Sequence, residues 1–256
     1  MRLARILTAD GPKPAVLDGE EWAVVRDLFA EPLERTGERH PAGTTPLLAP
    51  VEPRVILGLA HNSSAADRQL PPQAFHKSAR TATAPGDPIV LDEGIGTVVV
   101  EGELALVIGR TARHLTPENA LAHVLGFTIG NDVTAVDQIA LDDKLLQAKN
   151  GDGYTPIGPW IETALAVDAP HAIEVRIGGA VQAHASTADL GWNVVEQLVY
   201  ITSTTTLGPG DVILTGAPNT SAPTRPGDRV AITIEGIGTL ENEVVAGRRR
   251  AALPAA

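Results

Sequence analysis

The sequence predicts a mainly β chain with a few helices, an α+β arrangement in which a rolled or barrel-like sheet carries helices on its outside. Three observations predict it. The 256 residues include 25 glycines and 20 prolines, a turn-rich composition. Pro-Gly-Asp stands before an apolar run at Pro85–Asp87, Pro209–Asp211 and Pro226–Asp228. Proline presets φ for a tight reversal and glycine accepts a positive φ. Apolar runs of strand length also outnumber stretches with helical periodicity.

The elements follow in order. Residues 1–50 read as a small N-terminal appendage and residues 51–256 as the main domain. "RLARILT" and "PAVLDG" suit a hairpin, and "EEWAVVRDLFAEPLE" (20–34) reads as a helix before the polar "RTGERHPAGTTP". "RVILGLA" and "DPIVL" read as buried strands, and "VVVEGELALVIG" (98–109) as a longer one. "LTPENALAHVLGF" predicts a helix capped by Thr116, with Pro117 at its first position and Gly126 just past its end. "TADLGWNVVEQLVYITS" predicts another, capped by Thr187 or Asp189, with Leu190, Val194, Val195, Leu198 and Ile201 at helical spacing. In "VAITIEGIGTLENEV" the break at "EGIG" predicts a hairpin, and the terminal "GRRR" (247–250) reads as a solvated tail.

Composition excludes several functions. A formal net charge of -11 and 3% aromatic residues argue against nucleic-acid binding, which recruits basic patches and stacking rings. No segment has the ~18 consecutive apolar residues of a membrane span, and the N-terminus does not read as a secretory signal. There is no cysteine, hence no disulfide framework or thiolate chemistry. The expectation is a cytoplasmic protein with a small-molecule substrate.

The chemistry centres on residues 98–109. Side chains alternate along a strand, so Glu101 and Glu103 share one face with Val99, Ala105 and Val107. Carboxylates in such surroundings must be protonated, paired or bound to a metal. "GFTIGNDVTAVD" is a second apolar run that stops at Asn131 and Asp132. Three carboxylates at strand positions or strand ends suit a hard divalent cation, while the plain alternative puts the glutamates at a solvated edge and Asp132 in a turn cap. The Gly- and Pro-dense "KNGDGYTPIGPW" (149–160) brings Lys149 and Asp152 into a rigid loop. Beside a carboxylate-held cation, Lys149 would bind a substrate carboxylate, or act as a base if its pKa were lowered.

"VEGELALVIGRTAR", "GFTIGNDVTAVD", "KNGDGYTPIGPWI" and "LGPGDVILTGAP…PGDRVAITIEGIGTLENEV", in this order and spacing, resemble the fumarylacetoacetate hydrolase family. Within it, the nearest pattern is that of the 2-hydroxyhepta-2,4-diene-1,7-dioate isomerases and their decarboxylase partners. The resemblance implies a rolled mixed β-sheet, a catalytic Mg²⁺ (or Mn²⁺) and a homodimer. By position it implies Glu101, Glu103 and Asp132 as metal ligands and Lys149 as the active-site lysine. Lys77 matches the lysine of the family's "FxK" segment, and Thr215 opens the "TGAP" segment; with Gln138 and Asp152 these are the expected substrate-binding residues. The implied substrates are 2-oxo acids or their enols.

Departures from the family pattern shape the expected reaction. Ser64 stands where relatives often carry a histidine in a lid, leaving His61 and His76 as candidate bases, with Asp67 as the acid partner. Val136 replaces a common arginine, Ala217 a threonine, and Gly151 a frequent arginine. The metal cradle is kept and the substrate grip is altered, which favours a different or less charged substrate than the standard dicarboxylate. The leading reading is isomerisation or decarboxylation of an enolisable 2-oxo acid through a metal-stabilised enolate, because water activation needs a positioned base. The second is hydrolysis of a C–C bond in an acylpyruvate or other 1,3-dicarbonyl. The third is a repurposed, non-catalytic relative in a biosynthetic pathway.

Overall fold

The computed structural model describes residues 1–249. The first strands are β1 (Arg2–Thr8), β2 (Gly11–Asp18), β3 (Glu21–Val25), β4 (Arg35–Pro41) and the short β5 (Leu47–Leu48). Next come β6 (Ile56–Ala60), β7 (Gln73–Lys77), β8 (Ala82–Thr83), β9 (Ile89–Glu93) and the long β10 (Val98–Ile108). After β11 (Val124–Asn131) and β12 (Thr134–Ala135) lie two one-turn helices, α1 (Val136–Ile139) and α2 (Leu146–Lys149). The remainder is β13 (Thr155–Glu162), β14 (Ala172–Ile177), β15 (Ala180–Ser186), α3 (Val194–Thr204), β16 (Val212–Leu214), β17 (Ser221–Thr224), β18 (Arg229–Ile234) and β19 (Gly238–Arg249). Among the described residues no helix is long and apolar enough to cross a membrane.

The larger sheet runs β4-β3-β2-β1-β13-β11-β10-β16-β6-β7, and the smaller β15-β14-β18-β19-β9. Most neighbours are antiparallel, but β16 with β6, β13 with β8 and β19 with β9 are parallel, so both sheets are mixed. The N-terminal hairpin joins the larger sheet directly through β1 on β13.

β10 organises the centre. Its first half pairs with β12 and β17, its second half with β11 and β16. Val98, Val100, Leu104, Leu106 and Ile108 enter the main core with Val175 and Ile232 of the smaller sheet. Ala105 and Val107 enter a separate core behind the larger sheet. Gly102 lies where the sheets approach: a Cβ there would sit 2.9 Å from Val175 Cγ2 and 3.0 Å from Ile232 Cγ2. Because Gly102 faces the smaller sheet, its neighbours Glu101 and Glu103 must face the other way.

Four local expectations are corrected. The expected helix over 20–34 is β3 followed by turns. Trp22 and Val24 fill one core and Ala23 and Val25 another, so this continuous apolar run is a strand buried on both faces. The expected helix after Thr116 shrinks to one 3₁₀ turn at Ala120–His123, since Val124 onward is drawn between β10 and β13. α3 starts at Asn193, not at Thr187 or Asp189. Asn193 Oδ1 accepts the Glu196 N–H at 3.0 Å and Glu196 Oε2 accepts the Asn193 N–H at 2.9 Å, a reciprocal cap. The C-terminal basic run is not a tail up to Arg249, which pairs with Glu93 in the β19–β9 ladder; Arg250 lies outside the described residues. The hairpins at the N-terminus and at "EGIG" form as expected.

The contact at Gly102 gives a direct test. Gly102→Ala should cost ~1–3 kcal/mol of stability through overpacking, measured by urea unfolding. Gly43→Ala, where a Cβ meets nothing within 4 Å, should show no such loss.

Candidate metal centre

Where β10 changes partners, five charged side chains meet. Glu101 and Glu103 project from β10. The end of β11 is locked to the same strand: the Asp132 N–H donates to Glu101 O at 3.0 Å, and the Glu101 N–H donates to Asn131 Oδ1 at 3.2 Å. This pairing delivers the Asp132 side chain to the two glutamates. Each carboxylate offers an oxygen, and all three oxygens lie within 4.8 Å of one another.

Two lysines close the cluster from the sides. α2 presents Lys149, whose Nζ donates to Asp132 Oδ2 at 2.6 Å, Glu101 Oε2 at 3.0 Å and Thr134 Oγ1 at 2.6 Å. That ammonium also lies 4.9 Å from the centre of the Phe75 ring. β7 supplies Lys77, which donates to Asp132 Oδ1 and, at 2.9 Å, to the Tyr154 carbonyl. Among the described residues no lysine forms an ion pair with Glu103, whose Oε2 accepts the Gly216 N–H at 2.6 Å. Gly216 has φ +101, and a Cβ there would lie 2.6 Å from Asn62 O, so this donor depends on glycine.

Electrostatics separates the three acids. Burial works against the Asp132 charge, but Lys77 and Lys149 outweigh it and hold its pKa below the ordinary aspartate value. Burial, followed by the charges of Asp132 and Glu101, pushes Glu103 well above the ordinary glutamate value. Lys149 is also opposed by burial, yet Asp132 and then Glu101 raise its pKa, so it is a firm ammonium. For Lys77 burial wins and the pKa is lowered, offset in part by Asp132.

A divalent cation fits this donor set. The donors are all carboxylate oxygens, the ligand type of Mg²⁺ and Mn²⁺. Neighbouring ligands of an octahedral ion with ~2.1 Å bonds lie ~3 Å apart, within the spread of these oxygens. Glu103 supplies the chemical argument: two other acids and burial disfavour its charge, and a dication reverses that penalty.

The remaining expected residues fall elsewhere. His76 is exposed on β7 between inward-facing Phe75 and Lys77, so strand alternation turns it to the opposite face. His61 is exposed at the start of the 61–70 loop, with φ 52. Asp67 accepts the Ser63 N–H at 2.7 Å, the Ser63 hydroxyl at 2.9 Å and the Ser64 N–H at 2.9 Å. Those donors, led by the Ser63 N–H, hold its pKa below the ordinary value, with a smaller contribution from His61. Asp67 thus caps its own loop, with Ser64 at the cap position of that turn. The Thr215 hydroxyl, expected on substrate, is fully buried and donates to Leu104 O at 2.9 Å. Gln138 donates to Ile95 O at 3.0 Å, tying α1 to the turn before β10, and Asp152 is exposed.

Other participants were not singled out from the sequence. Thr134 Oγ1 donates to Glu101 Oε2 at 2.8 Å. It follows Asp132 by two residues, so the alternation that paired Glu101 with Glu103 could have found it. Asn62 is buried and bridges the loop to its surroundings: its Nδ2 donates to Thr215 O at 2.7 Å and Trp192 O at 3.1 Å, and its Oδ1 accepts the Trp192 N–H at 2.6 Å. Arg68 stacks 4.2 Å from the Trp192 ring centre and pairs with Glu196 at 2.8 and 3.0 Å. No local pattern marks these long-range contacts.

Known proteins share this arrangement of strands. The family model described as fumarylacetoacetate (FAA) hydrolase C-terminal matches residues 53–245, and one described as Rv2993c-like, N-terminal matches residues 1–50. Protein Rv2993c of Mycobacterium tuberculosis is 37% identical over 260 residues, covering 96% of this chain and 98% of that protein. The crystal structure of 5-carboxymethyl-2-hydroxymuconate delta-isomerase from Mycobacterium smegmatis superposes with a TM-score of 0.92 at 35% identity, covering 96% of this chain and 100% of that one. Maleylpyruvate hydrolase from Sphingobium sp. SYK-6, in complex with manganese(II) and pyruvate, superposes at 0.79 with 28% identity, covering 96% of this chain and 100% of that one. A matched core, a relative matched over nearly its whole length and a superposable mixed-sheet fold lead to one conclusion: this chain belongs to the fumarylacetoacetate hydrolase family.

Proposed function

We propose that the chain is a divalent-metal-dependent enzyme, using Mg²⁺ or Mn²⁺, that isomerises or decarboxylates an enolisable 2-oxo acid. The observation that carries this reading is the convergence of Glu101, Glu103 and Asp132 beside the ammonium of Lys149. These three acids would hold the ion. When bound, it supplies Lewis-acid polarisation of the 2-oxo carbonyl and stabilises negative charge developing on that oxygen.

The chain's own groups divide the other tasks. Lys149 points its ammonium at Asp132 and Glu101 and serves as a cation and proton donor at Nζ. It would attract the substrate carboxylate by its charge and give a proton to the carbon or oxygen that gains negative charge. It recovers one from solvent, which takes up any proton the substrate loses. Lys77, buried behind Asp132, orients that carboxylate through Oδ1. Thr134 orients Glu101 Oε2. The Gly216 N–H holds Glu103, and Asn62 packs against that turn to fix it.

Isomerisation or decarboxylation is preferred to hydrolysis on geometric grounds. Hydrolysis needs a base that activates water. His76 faces the wrong side of β7, and the acid expected to orient His61 is occupied with its own loop.

Three outcomes test this reading. Glu103→Ala should abolish Mn²⁺ binding by calorimetry and lower the tautomerisation or decarboxylation of oxaloacetate by about 100-fold or more, matching the effect of EDTA on the unaltered protein; turnover that survives chelation would end the proposal. Lys149→Met should keep the ion but lower kcat/KM by roughly 100-fold. His61→Ala and His76→Ala should leave turnover within a few-fold, and a large loss in His61→Ala with an acylpyruvate would restore the hydrolytic reading.

A further inference from the structure

The two short helices beside the carboxylates carry apolar side chains that this chemistry leaves unused. α1 is anchored by its polar residues: Asp137 Oδ2 accepts the Thr97 N–H at 2.9 Å, and Gln138 reaches Ile95 O. Val136 and Ile139, three residues apart and so on one side of the turn, are left 38% and 42% exposed. Val136 stands two residues after Thr134, whose hydroxyl touches both Glu101 and Lys149. α2 has the same spacing between Leu146 and Lys149, so the 65% exposed Leu146 lies over the ammonium's own helix face.

The elements that carry these side chains are neighbours. α1 packs on α2, and α2 packs on β7, which brings the Phe75 ring to Lys149. Across the cluster, half-buried Ala217 follows the Gly216 that holds Glu103. Single exposed leucines need no explanation, but several on the border of a charged site do.

Charge points the same way. Three carboxylates against two ammoniums leave the cluster one negative charge. A dication turns this into one positive charge, which a single substrate carboxylate neutralises. Lys77 and Lys149 already spend their hydrogen bonds inside the cluster. The connection between the helices carries Asp142, Asp143 and Lys144, net negative. A second carboxylate reaching these helices meets repulsion and apolar surface.

We propose that Val136, Ile139, Leu146 and Phe75 form the subsite for the distal end of the substrate. They select a monocarboxylic 2-oxo acid with a hydrocarbon tail over a dicarboxylate of equal length. This narrows the reaction to isomerisation, because an enolate forms by loss of CO₂ only from a second carboxylate β to the ketone. The inference rests on the 2-oxo acid reading above and adds its substrate class.

The test is calorimetric titration of the Mn²⁺-loaded protein with 2-oxohexanoate and 2-oxoadipate, which differ only in a terminal methyl against a carboxylate, with pyruvate as reference. 2-Oxohexanoate should bind about tenfold or more tightly than 2-oxoadipate. Val136→Arg should shrink that ratio by about tenfold, and Leu146→Ser should weaken 2-oxohexanoate more than it weakens pyruvate. A ratio that neither variant alters overturns the assignment of these side chains. Equal or tighter binding of 2-oxoadipate by the unaltered protein, with pyruvate still bound, overturns the subsite and leaves the metal reading standing. Failure of the loaded protein to bind pyruvate overturns both.

Discussion

The structure depends on keeping Asp132 charged in a buried place. An isolated carboxylate there would face a desolvation penalty of several kcal/mol. Two ammoniums offset it, one on each oxygen, and they come from separate elements: Lys77 from β7 and Lys149 from α2. Removing either would leave an under-compensated buried charge. The chain segments that carry these lysines are therefore fixed by the same electrostatic requirement. Glu103 lies at the edge of this balance, held by one backbone N–H, and is the acid with most to gain from an added cation.

β10 makes the arrangement possible. A strand that kept one pair of neighbours throughout would have its flanks filled by ladders. Here the partners change between Glu101 and Gly102, and the opening admits Asp132 from one side and the Gly216 turn from the other. Gly102 lets the smaller sheet close against the back, so the glutamates emerge on the front with no room to retreat. Packing and chemistry meet at adjacent residues of one strand.

Much of this was legible in the sequence because it follows local rules. Alternation placed Glu101 and Glu103 together, the abrupt end of an apolar run exposed Asp132, and Pro-Gly-Asp turns marked several strands. The Gly- and Pro-dense loop marked Lys149, the "FxK" segment of the resemblance marked Lys77, and both reach Asp132. What stayed hidden depends on tertiary context. The run Trp22–Val25 alternates between two cores, which sequence cannot distinguish from a helix face until both cores exist. The outward facing of His76 follows from the register of β7 with β6, which its closeness to Lys77 in the sequence does not show. Thr215 was read by motif, but its hydroxyl is drawn to the backbone of β10. Asp67 was read as an acid seeking a histidine, while its nearest donors were the amides just before it.

One carboxylate away from the centre links two parts of the fold. Glu196 receives the Asn193 N–H, which starts α3, and grips both terminal nitrogens of Arg68 in the 61–70 loop. The first turn of the helix and the loop therefore make up a single cooperative unit: the loop cannot swing outward without stripping the helix of part of its cap. Since Asn62 leans on Thr215 from the same loop, the support behind Glu103 is coupled, through Arg68 and Glu196, to the winding of a helix more than a hundred residues further along the chain.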